Sequence, residues 1–519
     1  MSLRFRRTLP VRPSLDQQKK LAKELLQAFR AGEHEANERI RAELPDKQGI
    51  ALADAQFVLA REYGFSSWRE LRERIEALAA EALPPVEQFR RATEAGDVKS
   101  LRRVLQENAK ARAAVNEPLF GFNSPALVAA AGRGDVELVG LLLEFGADPN
   151  RKSSWWAGGF HPLYAASGAV AERLIAAGAV PDACAAAHLD RPDLLSRLLE
   201  QDPSRVRERG GDGQTPLHFA RSRSIADMLL DAGADINAID VDHRSTAAEW
   251  MLGEEGDAQN SRMDLAKYLV ERGARADIFL TAALGLTDRA RALLEGNPTL
   301  LSLRTSQGEY GEKNPSSYHI YQWTIGANLT PLQTAAKFRQ TDTVRMMERF
   351  ASPEQRLLLA CNQGMADEAR AIVREHPDIV NRLGNADRRA LTDEAWAANA
   401  PAVEIMLELG FDPSAPSVSG PTGGTALHCA AWEGSVACVG ALLRYPAGRA
   451  LIETRERTYN GTPLSWCSHG SANCHNSGAN HVGVARMLID AGVRVTPDMA
   501  DWEGSDAFMA VIDAALRGA

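Results

Sequence analysis

The stretch "SWCSHGSANCHNSGANH" crowds Cys467, His469, Cys474, His475 and His481 into one short insertion. Thiolate and imidazole are the ligands zinc prefers, so a metal is the first chemistry to consider. The spacing argues against it. There is no Cys-x-x-Cys pair, and the adjacent Cys474 and His475 rarely both reach one ion. Cys467, His469 and Cys474 stay as weak metal candidates, and the chain is expected to carry no stoichiometric zinc and no cofactor. Other chemistries also lack their residues. "GEEGDAQ" and "GPTGG" are not phosphate loops, because neither follows an expected strand nor ends in Lys-Ser/Thr. No Gly-x-Ser-x-Gly sits at a strand–helix junction and no His-Glu-x-x-His occurs. No residue is therefore assigned a catalytic role. What remains is "GTALHCAAWEGSVACVGALL", in which Trp432 and Glu433 interrupt a run of small and apolar residues just before a turn. An aromatic beside a carboxylate suits a cationic ligand. Whether Trp432 can meet one depends on the elements that position it.

The chain has 519 residues, too many for one ordinary core. A net charge of −9 argues against wholesale binding to nucleic acid, and the basic run Arg4, Arg6, Arg7 and Arg12 reads as a solvated tail. No apolar stretch of about 18 residues spans a membrane, and "MSLRFRRTLPVRPSLDQQKK" lacks the apolar region of a signal peptide. Six cysteines are too few for a disulfide framework. Cys184, Cys361, Cys429 and Cys438 lie among Ala and Leu and read as small buried hydrophobes, with a reducing cytoplasm as the simplest compartment.

Laying the chain on itself exposes a repeat. "SPALVAAAGRGDVELVGLLLEFGADPN", "QTPLHFARSRSIADMLLDAGADIN", "TPLQTAAKFRQTDTVRMM" and "GTALHCAAWEGSVACVGALL" share one frame. It runs Thr-Pro-Leu-His, a small-residue helix, a turn, and a second helix ending in Leu-Leu. This frame resembles the ankyrin repeat over roughly residues 84 to 519. The physics agrees: Thr215 caps an inner helix, Pro216 suits its first turn, and Gly233 ends the outer helix where positive φ is needed. No unit buries its apolar face alone, so stability comes from stacking. His218 and His428 occupy the His position of the pattern, which the resemblance implies is a structural hydrogen-bonding residue.

The first 83 residues lack the frame and show helical periodicity, with Gly64 breaking a helix and Ser66 and Ser67 capping the next. They resemble the helical leader of many bacterial ankyrin-repeat proteins. Phe57, Leu59, Tyr63, Phe65, Trp68 and Leu71 read as core, and the block suits the cap that a terminal repeat needs. The expected organisation is a helical capping block at 1–83, repeats at 84–304, an inserted finger at 305–328 and repeats at 329–519. The fold class is all-α: an ankyrin-type solenoid of helix pairs with short hairpin fingers.

In such a unit the two residues before the inter-helix turn face the concave groove. Counting back from Gly434 gives Trp432, the frame leucines Leu391 and Leu464 give Trp396 and His469, and a second Trp-Glu-Gly-Ser gives Trp502, all at one equivalent position in successive units, with Glu433 and Glu503 beside two of them. That is an aromatic wall with local acidity. Insertions map to loops near the binding face. "PNRKSSWWAGGFHP" carries four aromatic or imidazole side chains, "GEEGDAQNSR" reads as a solvated acidic loop, and "YHIYQW" in the 305–328 finger alternates like a strand. Such a finger would bring Tyr318, Tyr321 and Trp323 near the wall. The reading is a non-catalytic protein holding a protein or peptide partner, with Arg, Lys or aromatic anchors, in the groove of the C-terminal repeats. The rival is an enzyme or small-molecule binder using the same groove under the closed finger, with a metal if the Cys/His insertion supplies one.

Overall fold

The computed structural model of the chain describes all residues except 1–4, 11–12, 46, 48–49, 51, 82, 254–261, 417–422, 475, 497–498, 500–501, 503 and 519. Arg4, Arg12, His475, Glu503 and most of the acidic "GEEGDAQNSR" loop lie outside the described residues.

Local chemistry starts each repeat. Thr215, Thr330, Thr425 and Thr462 cap inner helices, and each forms a reciprocal capping box with the residue three positions on: His218, Gln333, His428 and Ser465. The inner helix Ala426–Trp432 then turns at Gly434 into the outer helix Val436–Arg444. Gly434 has φ of 64°, and a Cβ there would meet Ala479 Cβ at 2.8 Å and Asn480 N at 2.9 Å, so both conformation and space demand glycine. Helix pairs of this kind recur along the chain, for example Ala126–Gly132 with Val136–Glu144, Ile278–Leu284 with Thr287–Gly296, and Ala390–Trp396 with Ala400–Glu408. Among the described residues there is no strand, only isolated bridges such as Ile239 to Thr246. The architecture is the expected all-α repeat solenoid. No helix among the described residues is long and apolar enough to cross a membrane.

The histidines of the frame join neighbouring repeats. His218 Nδ1 accepts from Thr215 N at 3.1 Å, leaving Nε2 to donate to Ser245 O at 3.1 Å in the next repeat. His428 repeats the arrangement with Thr425 N and with Gly461 O. Burial holds the His218 pKa down at about 4 and lowers that of His428, so both rings are neutral.

Two compact units divide the chain: 84–352, and 1–83 together with 353–519. In the second, helices Leu15–Arg30, His34–Glu43, Leu52–Glu62 and Trp68–Glu81 bury Ala22, Leu25, Ile40, Val58 and Leu59 in a small core of their own. Ser67 Oγ caps the last of these helices by accepting from Glu70 N. Arg7 corrects the expectation of a solvated basic tail. Its Nε lies 3.0 Å from the buried Glu62 carboxylate, which also takes two hydrogen bonds from Arg39.

The unit 84–352 contains the 305–328 insertion, and here the expected strand is absent. Tyr321–Thr324 is a helical turn, and the only pairing nearby is the bridge Lys313 to Ser316. His319, Ile320 and Tyr321 are all buried in succession. A strand would send alternate residues to opposite faces; a helical turn lets three neighbours pack together. Tyr321 Oη donates to Asp277 Oδ1 at 2.9 Å and reaches Glu249 Oε1 at 3.4 Å, while Tyr310 Oη donates to Asp277 Oδ2 at 2.8 Å. Burial, reinforced by Asp277, pushes the Glu249 carboxyl up to about 8.

Candidate functional site

The aromatic wall can be built from the ends of inner helices. Trp396 ends Ala390–Trp396 and Trp432 ends Ala426–Trp432. Their rings lie nearly parallel, 10° apart with centroids at 6.4 Å. His469, in helix Pro463–Asn473, follows with its ring 5.3 Å from Trp432. Trp396 and Trp432 are half-buried and His469 is exposed. Three of the four residues expected at one position are thus contiguous. Trp502 is half-buried against the apolar core.

Trp466 organises this row, and sequence reasoning passed it over. It packs edge-on to Trp396 and to Trp432, both at 6.2 Å, and to His428 at 5.3 Å. Its accessible fraction is 8%. Gly424 and Gly461 make room for it, since a Cβ at either would meet the indole at 2.7 or 3.0 Å. The signal was present in the frame: Trp466 occupies the position that Cys429 holds one unit earlier, where a large ring needs a special reason.

Glu433 is not the free acid that its neighbour suggested. Its Oε2 accepts from Asn476 Nδ2 at 3.4 Å and from Cys474 Sγ at 3.8 Å. Burial raises its pKa, although Asn476, Cys474 and His481 pull the other way. His481 Nε2 donates to Trp432 O at 2.8 Å, which anchors the wall to the following helix. Cys467 is core: its thiol donates to His481 O at 3.4 Å, and burial pushes its pKa up. Cys467, His469 and Cys474 therefore do not converge on a common point, and among the described residues they form no metal-binding group.

Tyr318, Tyr321 and Trp323 belong to a different environment. Tyr321 is fully buried against Asp277, which corrects its expected place on a ligand-facing wall. Tyr318 O accepts from His243, and Trp323 stands edge-on to the His243 ring at 4.7 Å with 41% of its surface exposed. The finger's aromatic residues hold the insertion to the repeats at 240–277.

Comparison with known proteins adds the following. The profile of the ankyrin repeat family matches residues 123–154, 212–241 and 422–452. Human cyclin-dependent kinase 4 inhibitor B is 33% identical over 120 residues, which are 21% of this chain and 87% of that protein. The bovine protein of the same name is 34% identical over 117 residues, 21% of this chain and 89% of its own length. The mouse protein is 40% identical over 74 residues, 14% of this chain and 57% of its own.

Proposed function

The chain belongs to the ankyrin-repeat family, and from that premise we propose that it is a non-catalytic interaction protein which holds a polypeptide partner on the concave face of its C-terminal repeats. One observation carries the reading: the part-exposed row of Trp396, Trp432 and His469 on successive inner helices. A row of indoles backed by a buried Trp466 is rigid, so a ligand that stacks on it loses little to reorganisation. Arg or Lys side chains suit such rings through cation–π contact, and aromatic side chains suit them through stacking. Support from the relatives is of kind only: cyclin-dependent kinase 4 inhibitor B is named for acting on another protein. The six cysteines stand as free thiols, in keeping with a cytoplasmic setting.

A displayed peptide library panned on wild type and on Trp432→Ala in parallel tests this reading. The expected result is enrichment of peptides rich in Arg, Lys or aromatic residues on wild type and their loss on the variant, with binding that weakens as salt rises. Equal enrichment on both proteins would remove the wall from the function.

A further inference from the structure

In the unit 84–352 three chain segments meet. The turn Gly211–Gly213 holds Asp212 at φ of 54°. The Asp212 carbonyl accepts from Val241 N at 2.8 Å and Asp242 N at 3.1 Å, which clamps this turn to the next one. The third segment comes from the 305–328 insertion. Ser317 N donates to Asp242 Oδ1 at 2.9 Å, and His243 Nδ1 lies 2.9 Å from Tyr318 O and 3.0 Å from Ser317 Oγ. A carbonyl only accepts, so Nδ1 carries the proton and Nε2 is the nitrogen that can offer a lone pair. Nε2 faces Asp242 Oδ2 at 3.9 Å.

Asp212, Asp242 and His243 each place one donor atom within 4.8 Å of the other two. They are 7%, 4% and 9% exposed. Asp212 Oδ1 is fully buried and makes no hydrogen bond. Trp155 Nε1 lies near enough to ease ionisation of that carboxyl, yet it too lacks a hydrogen bond of normal geometry. A buried carboxylate oxygen without a partner is costly.

We propose that Asp212, Asp242 and His243 bind a divalent metal ion that joins the two turns against which Ser317 and Tyr318 of the insertion rest. Two carboxylates and one neutral imidazole are a hard-to-borderline set, suited to Mn²⁺, Fe²⁺ or Zn²⁺. Ligands about 2.0–2.2 Å from a common ion stand roughly 3–4.4 Å apart, so only a slight closing is required. The supports around the ligands are already in place: the Tyr318 carbonyl fixes the tautomer and angle of His243, and Ser317 N orients Asp242.

Mn²⁺ is the probe, because it avoids the thiols near Cys467. Full-length protein stripped with chelator is titrated with Mn²⁺ and followed by electron paramagnetic resonance, with pulsed measurements for nitrogen coupling. The expected result is one ion per chain with a coupled imidazole nitrogen, and a higher melting temperature in the presence of Mn²⁺. Binding should weaken about tenfold or more in Asp212→Asn and in His243→Gln, and should persist in Cys467→Ser. No saturable binding by wild type overturns the proposal. Bound Mn²⁺ without nitrogen coupling in wild type overturns it too, whatever the variants do. Unchanged affinity in a His243→Gln protein of native helicity has the same consequence.

Discussion

Trp432 and Trp466 lie 6.2 Å apart and have opposite jobs. Trp432 is part-exposed at a helix end, whereas Trp466 is buried between Trp396, Trp432 and His428. Truncating the first leaves no enclosed cavity; truncating the second leaves one that Gly424 and Gly461 cannot fill. Trp432→Ala is therefore expected to cost on the order of 2 kcal/mol in partner binding and little in stability. Trp466→Ala is expected to lose about 3–5 kcal/mol of folding free energy. Denaturant melts of both variants beside wild type check this, and a Trp432→Ala protein as unstable as Trp466→Ala would make Trp432 a core residue. The residue frame explains why one of the two was readable in the sequence. Trp432 is fixed by counting back from the turn glycine Gly434 and Trp396 by counting on from the frame leucine Leu391, so the period alone located them. Trp466 falls on a position meant for a small side chain. Its acceptance depends on glycines at 424 and 461, which a one-dimensional frame does not bring together.

The helix pairs were legible because capping threonines, small residues and turn glycines repeat in register, and local rules agree with the tertiary result. The 305–328 insertion was not legible as an element. Its aromatic alternation imitates a strand, and the deciding contacts come from partners some 40 to 75 residues away: Asp277, Glu249, Asp242 and His243. The same contacts make the insertion sensitive to pH. Glu249 and Asp277 are both half-buried and share Tyr321, and desolvation raises the pKa of each, that of Glu249 to about 8. An acid whose folded pKa is raised contributes stability that is complete below its unfolded pKa, about 4.3, and is lost as pH climbs through the folded value. Between about pH 7.5 and 8.5 His161, His188 and His218 are neutral both in the fold, where they are lowered to about 4, and in the unfolded chain, where they titrate near about 6.5, so they add no slope of their own. Melting temperature should therefore fall across that window in wild type, and Glu249→Gln should flatten the fall, since its amide needs no proton. A wild-type melting curve independent of pH from about 7.5 to 8.5 would show that the pair stays ionised.

At the scale of the molecule, stability in a stacked array is a sum of unit and interface terms, and its apolar ends must be covered. The N-terminal block is suited to that task by how its own core is closed. Ala22, Leu25, Ile40, Val58 and Leu59 form one cluster, and Ala60, Leu71 and Ile75 a second, each separate from the clusters that run through the repeats. Glu62, held by Arg7 and Arg39, ties the block's first residues to its third helix. Its last helix places Arg72 within 3.9 Å of Asp506 in the terminal helix Asp506–Gly518, an exposed contact worth little by itself. Removing residues 1–83 would consequently leave no hole in the repeat cores, but it would uncover whatever apolar surface the block shields. A chain of residues 84–519 is expected to keep its helicity per residue by circular dichroism while aggregating at lower temperature and lower concentration than the full chain, as read by light scattering during a thermal ramp. If the shortened chain stays soluble and melts with the full-length protein, the block is an appendage and the array covers its own ends.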